Sequence, residues 1–331
     1  MKNYTTFLCV AMSALFLCFS CDDNDFEIPT SETFAVGDVT WASDVTAEDK
    51  AVIARLIENM VKVEACDFYM GAQIKTRTKP NYFSYFTSAD TTLWVGPVIS
   101  VSMPEYYIGR YEITQGEWEA VMDTVPTGNY CKVEALKGSA AWYEETGKGD
   151  RVAAYNISHA DAVKFVETLS RKTGLAFRLP TDAEWECAAR GGKYCKGYNF
   201  SGSDTWKEVA WCYTNAASQG LGAEGYGVHE VGELPGNELG LHDMTGNVAE
   251  WVANSYYKYN ASDVINPQGN YGGDTLIIRG GSWVMKQYTD FSVAKRKKFI
   301  FSSYHLEDGS RSQSFYDAIA NVGFRIALSA Q

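Results

Sequence analysis

The sequence predicts an irregular, loop-rich α+β single domain built from short capped helices and short strands. Three observations carry this. Four N-cap signatures each precede a helical stripe of apolar residues. Apolar residues make up 46% of 331, so the chain can bury a sizeable core. Glycine outnumbers proline 29 to 8, and beyond residue 192 the periodicity gives way to dense Gly, Asn, Asp and Ser. No internal repeat or low-complexity tract is present. The net charge of −12 argues against nucleic acid as a partner, because binding phosphates needs a basic field.

The N-terminus reads as a leader. Lys2 precedes an apolar stretch from Phe7 to Phe19 that is too short to span a bilayer. With Leu17 upstream, Ser20-Cys21 resembles a bacterial lipoprotein signal, which implies residues 1–20 as signal peptide and Cys21 as the lipidated residue. Asp22-Asp23-Asn24-Asp25 is similar to the surface-export signal of Bacteroidetes lipoproteins. The expected location is therefore the outer membrane, lipid-anchored and facing the cell exterior. An ordinary cleaved secretory peptide is the alternative. Residues 21–45 read as an acidic tether and 46–331 as the domain. Of eight cysteines, Cys9 and Cys18 leave with the leader and Cys21 carries lipid. Cys66, Cys131, Cys187, Cys195 and Cys212 remain, an odd number that leaves at least one free thiol or an intermolecular bridge. Cys195 and Cys212 flank a loop and could pair. With no C-x-x-C and four His, zinc is not expected.

Thr46-Ala-Glu-Asp49 reads as a capping box that opens a helix with Ile53, Leu56, Ile57 and Met60 on one face. Met60–Val63 and Phe68–Gly71 read as a hairpin, and 93–101 and 106–113 as further strands. Thr114-Gln-Gly-Glu117 starts a second helix with Trp118, Val121 and Met122 inward. Ser158-His-Ala-Asp161 starts a third, striped by Ala162, Phe165, Val166 and Leu169 and ended by Gly174. Thr181-Asp-Ala-Glu184 starts a fourth, with Trp185, Ala188 and Ala189 inward and Gly191-Gly192 as its stop.

Seven segments, in order, resemble the formylglycine-generating enzyme or sulfatase-modifying factor family. They are Met60–Gly71, Tyr111–Gln115, Phe177–Glu186, Ala188–Gly192, Asn237–Trp251, Arg279–Trp283 and Gly323–Arg325. The resemblance spans about residues 58–329 and implies a fold related to C-type lectins. Most of these residues also read as scaffold: Arg178 with Glu184 as a charged pair, Trp185 and Trp251 as core, and Arg325 as a packed, paired guanidinium on a terminal strand. The resemblance further implies calcium on the 243–250 loop, held by the side chains of Asp243 and Glu250 and the carbonyls of Gly246 and Val248, since calcium takes mixed carboxylate and carbonyl oxygens. A capped turn is the alternative. A second family calcium site, which Asn215 would match at one ligand, is not expected because its acid is missing near Ala223.

The same resemblance argues against the family's reaction. The enzymes oxidise a cysteine to formylglycine with copper held by two thiols five residues apart, after the Gly-Gly-Ser motif. Met285 and Asp290 stand there, one a thioether and the other a hard oxygen donor. Copper is not expected, Ser282 reads as a turn hydroxyl, and no catalytic residue is assigned, including none of His159, His229, His242 and His305. Aromatic residues interleaved with small polar ones suit recognition, so Trp283, Met285, Tyr288, Asp290 and Tyr304 are the expected ligand-binding surface. Lys295-Arg-Lys-Lys298 reads as a solvated edge, with an anionic glycan or acidic peptide as a lesser alternative. The expected function is a surface lipoprotein acting in ligand binding or outer-membrane assembly, its partner an unknown protein or glycan. The alternatives are an oxidoreductase of the same family and a carbohydrate-binding module.

Overall fold

A computed structural model describes residues 39–71, 98–124, 147–220, 223–256, 273, 275–300 and 320–330. The proposed leader, Cys21, Cys131, Tyr304 and His305 lie outside these residues. No helix among the described residues is long and apolar enough to cross a membrane.

The four helices announced by the caps are present: α1 (Ala47–Glu58), α2 (Gln115–Met122), α3 (His159–Thr173) and α4 (Asp182–Ala189). The caps differ in kind. Thr114 with Glu117, and Thr181 with Glu184, form reciprocal boxes in which the glutamate reaches back to the cap amide. At Thr46 and Ser158 the cap hydroxyl accepts the amide three residues on, but Asp49 and Asp161 accept from that hydroxyl and not from the cap amide. Aspartate is one methylene shorter, which accounts for the difference. A short α5 (Trp206–Val209) follows. The described residues from there to 248 are irregular, apart from one π-helical turn at Tyr213–Ala217.

Among the described residues ten short strands make three sheets. The first has the order β1 (Met60–Val63), β4 (Tyr106–Gly109), β10 (Ala327–Ser329), β5 (Phe177–Arg178). The second is the pair β2 (Cys66–Met70) and β3 (Ile99–Met103). The third has the order β8 (Lys297–Ile300), β7 (Thr275–Arg279), β6 (Ala249–Ser255), β9 (Val322–Gly323), with β9 parallel to β6. The expected hairpin of Met60–Val63 with Phe68–Gly71 does not form. β1 pairs with β4 (Met60 opposite Gly109) and β2 with β3 (Cys66 opposite Met103). Met60, Val61 and Val63 are buried, so β1 needs covered flanks that a two-stranded ribbon cannot supply. The strand expected over 106–113 ends at Gly109; Ile113 instead donates its amide to the Phe324 carbonyl.

One apolar cluster joins α1, α2 and α3 around Phe165, Trp251 and Phe324. A second joins β1–β4 to α4 around Trp185 and Ile108. Residues 39–45, read as the end of the tether, pack onto the domain. Thr40 and Ala42 donate amides to the Thr173 and Lys172 carbonyls, and Val45 is buried. Arg325 is paired as expected, but it lies between β9 and β10 and not on a strand.

Candidate functional site

Helix α4 is buried on all sides, so its acids need partners inside the protein. Arg178 grips Glu184 through two bonds of 2.6 and 2.8 Å. Arg190 reaches Glu186 at 2.7 Å. Arg279 reaches Glu186 at 3.0 Å and also pairs with Asp182. Arg296 pairs with the other Asp182 oxygen at 2.7 Å and lies over the Tyr256 ring. Arg296 is therefore buried, which corrects the reading of Lys295–Lys298 as a wholly solvated edge. The network anchors Arg279 at the end of β7, where the loop of interest begins.

That loop turns on Gly280 and Gly281, at φ +84° and +78°. A Cβ on Gly281 would lie 2.9 Å from both the Asp290 carbonyl oxygen and the Phe291 ring. The Ser282 carbonyl accepts the Met285 amide at 2.9 Å, and the Met285 carbonyl accepts from the Tyr213 amide at 3.0 Å. It is thus the Ser282 carbonyl that closes the turn; its hydroxyl is buried without a hydrogen-bond partner. Met285 and Asp290 line one small hollow with Lys295 and Lys297, of about 20 Å³, room for about one water. No thiol lines it among the described residues. Cys212 shares an apolar cluster with Met285 and Phe291, but its sulfur is bonded to Thr214 and Asn215. Cys195 and Cys212 are both free thiols, one exposed and one buried. A thioether, a carboxylate and two ammonium groups do not make a cuprous site, which wants soft anionic sulfur.

The expected ligand surface is only partly a surface. Trp283 is buried against Tyr226, edge to face at 5.2 Å, and belongs to the core. This corrects its assignment as a contact residue. Tyr288 is 37% exposed, and Met285 and Asp290 are half-buried beside it.

The 243–250 loop holds a second cluster. Arg325 is bidentate to Glu250 at 2.7 and 2.8 Å and also donates to the Gly109 and His242 carbonyls. Trp185 donates to the same Glu250 at 2.8 Å. Glu112, whose sequence neighbours do not announce a role, accepts from the Asn247 side chain at 2.7 Å and the Val248 amide at 3.0 Å. Asp243 accepts the Gly232 amide at 2.7 Å; its other oxygen is buried without a hydrogen-bond partner. Burial, with Asp243 and Glu250 nearby, holds the Glu112 carboxyl well above the usual range. Burial raises Asp243 to about 6. The resemblance implied that Asp243, Gly246, Val248 and Glu250 gather calcium. Both Glu250 oxygens are already held by Arg325 and Trp185, so calcium would have to displace a guanidinium that makes five hydrogen bonds. Among the described residues no group of three His, Cys, Asp or Glu is placed to hold a metal. The donor set fits an internal cation, Arg325, and does not fit calcium. Asn215 caps the Cys212 amide at 2.8 Å.

An open groove of about 580 Å³ between α1 and α2 also escaped the sequence analysis. Glu48, Asp49, Glu119 and Asp150 outnumber Arg55 and Arg151 along it. Its acids come from the first turn of α1, the middle of α2 and a distant loop, so no single motif announces it. The described histidines have structural partners. His159 meets Trp251 edge to face, His229 stacks on Trp211 at 3.6 Å, and His242 packs on Tyr111.

Residues 46–330 match the model of the sulfatase-modifying factor enzyme 1-like domain. The chaperone protein LppX of Paenibacillus barcinonensis is 31% identical over 56% of this chain and 71% of its own length. The inactive C-alpha-formylglycine-generating enzyme 2 of Mus musculus is 31% identical over 71% of this chain and 73% of its own. The formylglycine-generating enzyme of Bos taurus is 29% identical over 70% and 67%. Among solved structures, Treponema denticola variable protein 1 shares the fold, with a TM-score of 0.58 and 23% identity over 91% of this chain and all of that one. The matched segment covers both the anchored loop after β7 and the Glu250–Arg325 pair, and the chain belongs to the sulfatase-modifying factor enzyme 1-like family.

Proposed function

We propose that this protein is a non-catalytic member of its family, a binding or assembly scaffold held at the outer membrane through a lipid on Cys21. One observation carries the loss of activity. The positions that the family resemblance aligns with the copper thiols are Met285 and Asp290, and among the described residues they share a hollow with two lysines and no thiol. The buried ion-pair networks support a scaffold role, since they brace the Gly280–Asp290 loop without presenting a reactive group. A relative named inactive and another named a chaperone protein are in keeping with it. The contact surface is Tyr288 with the exposed flanks of Met285 and Asp290, and the partner is a protein or glycan.

The test is a cysteine-containing substrate peptide incubated with the protein, copper and oxygen, and then with an aldehyde-reactive hydrazide. No labelled peptide is expected. Labelled peptide from the unmodified chain would refute the proposal. The Met285→Cys/Asp290→Cys variant reports on the reason, because it is expected to gain cuprous-ion binding that the parent lacks.

A further inference from the structure

Outside the site described above, two of the described thiols approach each other. The Cys66 and Cys187 sulfurs are 3.6 Å apart, although 121 residues separate them in the chain. Cys66 opens β2 and is half-buried; Cys187 lies on α4 and is fully buried. We propose that Cys66 and Cys187 form a disulfide that staples the β2–β3 hairpin to α4 once the protein meets an oxidising compartment.

The hairpin is where a staple has an effect. Among the described residues β2 and β3 pair only with each other, and the two other sheets do not extend onto them. An isolated two-stranded ribbon is marginal in water and depends on what it packs against. Helix α4 already clamps the far end of β2: Glu186 accepts the Gly71 amide at 2.8 Å, and Arg190 donates to the Gly71 carbonyl at 2.7 Å. The thiol pair sits at the opposite end of the same strand. A disulfide there would fix β2 to the helix at both ends. The sulfurs must close by about 1.6 Å to reach bonding distance, a movement that side-chain rotation can supply.

The step balances as thiol–disulfide exchange. The Cys66 thiolate attacks one sulfur of a donor disulfide, either a small-molecule disulfide or a thiol oxidoreductase, and one donor thiolate leaves. The Cys187 thiolate then attacks Cys66 in the mixed disulfide and expels the second. Two protein thiols lose two protons and two electrons, and the donor is reduced to two thiols. The order follows from the surroundings. Cys66 is reachable from solvent, and the hydrogen bond from Cys187 lowers its pKa; Cys187 is enclosed, and its pKa is pushed well up.

The experiment treats the full chain with glutathione disulfide, alkylates without reduction and maps tryptic peptides. A linked peptide containing Cys66 and Cys187 is expected, with Cys195 alkylated. If both are recovered alkylated, or if Cys66 is linked elsewhere, the assignment is wrong. Denaturant unfolding provides the second measurement. Constraining a loop of this length raises the folding equilibrium constant by roughly a thousandfold or more in the chain-entropy limit. Oxidised protein should therefore unfold at clearly higher denaturant than reduced protein, and Cys66→Ser should show no such gap. Equal midpoints for the oxidised and reduced wild type would overturn the staple even if the bond forms.

Discussion

Replacing Arg325 by Met tests the central charge arrangement directly. In the folded protein Arg325 is completely buried and faces Glu250, with Glu112 and Asp243 adjoining. Removing one member of a buried pair typically costs about 3–5 kcal/mol, because the remaining charge is stranded. Two carbonyls, of Gly109 and His242, also lose their guanidinium donors. Against a usual stability of about 5–15 kcal/mol this is a large fraction, and for a domain of this size it corresponds to roughly 10 °C in Tm. The pH dependence sharpens the test. Asp243 is raised in the fold from 3.8 to about 6. An acid raised in this way contributes stability below its unfolded pKa and loses it as pH rises through the folded value. The wild type should therefore gain up to about 3 kcal/mol from Asp243 between pH 7 and pH 4. Without Arg325 the Glu112 and Asp243 carboxyls are pushed higher, so the variant should recover part of its loss near pH 5. Urea unfolding at pH 5 and pH 8 measures both effects. A loss under about 1 kcal/mol that is equal at both pH values would refute the reasoning. The Arg325→Met/Glu250→Gln double variant should be more stable than Arg325→Met alone, because it removes the stranded charge.

Other substitutions and additions have defined outcomes. Gly246→Ala would place a Cβ 2.3 Å from the Trp211 carbonyl oxygen at φ +87°, and should cost at least about 3 kcal/mol in thermal or urea unfolding. Trp283→Ala should cost about 3–5 kcal/mol as a core truncation, whereas Tyr288→Ala should stay within about 0.5 kcal/mol while weakening partner capture. Millimolar calcium should leave Tm unchanged. A site filled at 100 times its Kd would add about 2.7 kcal/mol, so a rise of several degrees would restore calcium to the 243–250 loop.

The legible parts of the sequence were local. Thr114, Ser158 and Thr181 name their helices because cap and capped amide lie three residues apart, and Phe165 and Leu169 name a face by helical spacing. The illegible parts depend on partners far along the chain. β1 looks like half of a hairpin until β4 supplies its neighbour. Glu250 looks like a calcium ligand until Arg325, 75 residues later, takes both its oxygens. Trp283 and Arg296 carry surface-like neighbours in sequence, yet the loop geometry turns them inward. Met285 and Asp290 were legible in a different sense: their side chains lack the required chemistry wherever the fold puts them. Glu112 was visible in a motif, but its role was not, since its partners Asn247 and Val248 lie about 135 residues away.

The placement of β10 governs when the molecule can finish folding. This strand, residues 327–329, fills the gap between β4 and β5 in the interior of its sheet, and residue 325 pairs with Glu250. Neither event can occur before that stretch has been synthesised. Until residues 325–329 are in place the sheet stays divided between β4 and β5, and Glu250 lacks its guanidinium. Shaving off the last eight residues should likewise leave a split sheet and not merely a shortened one.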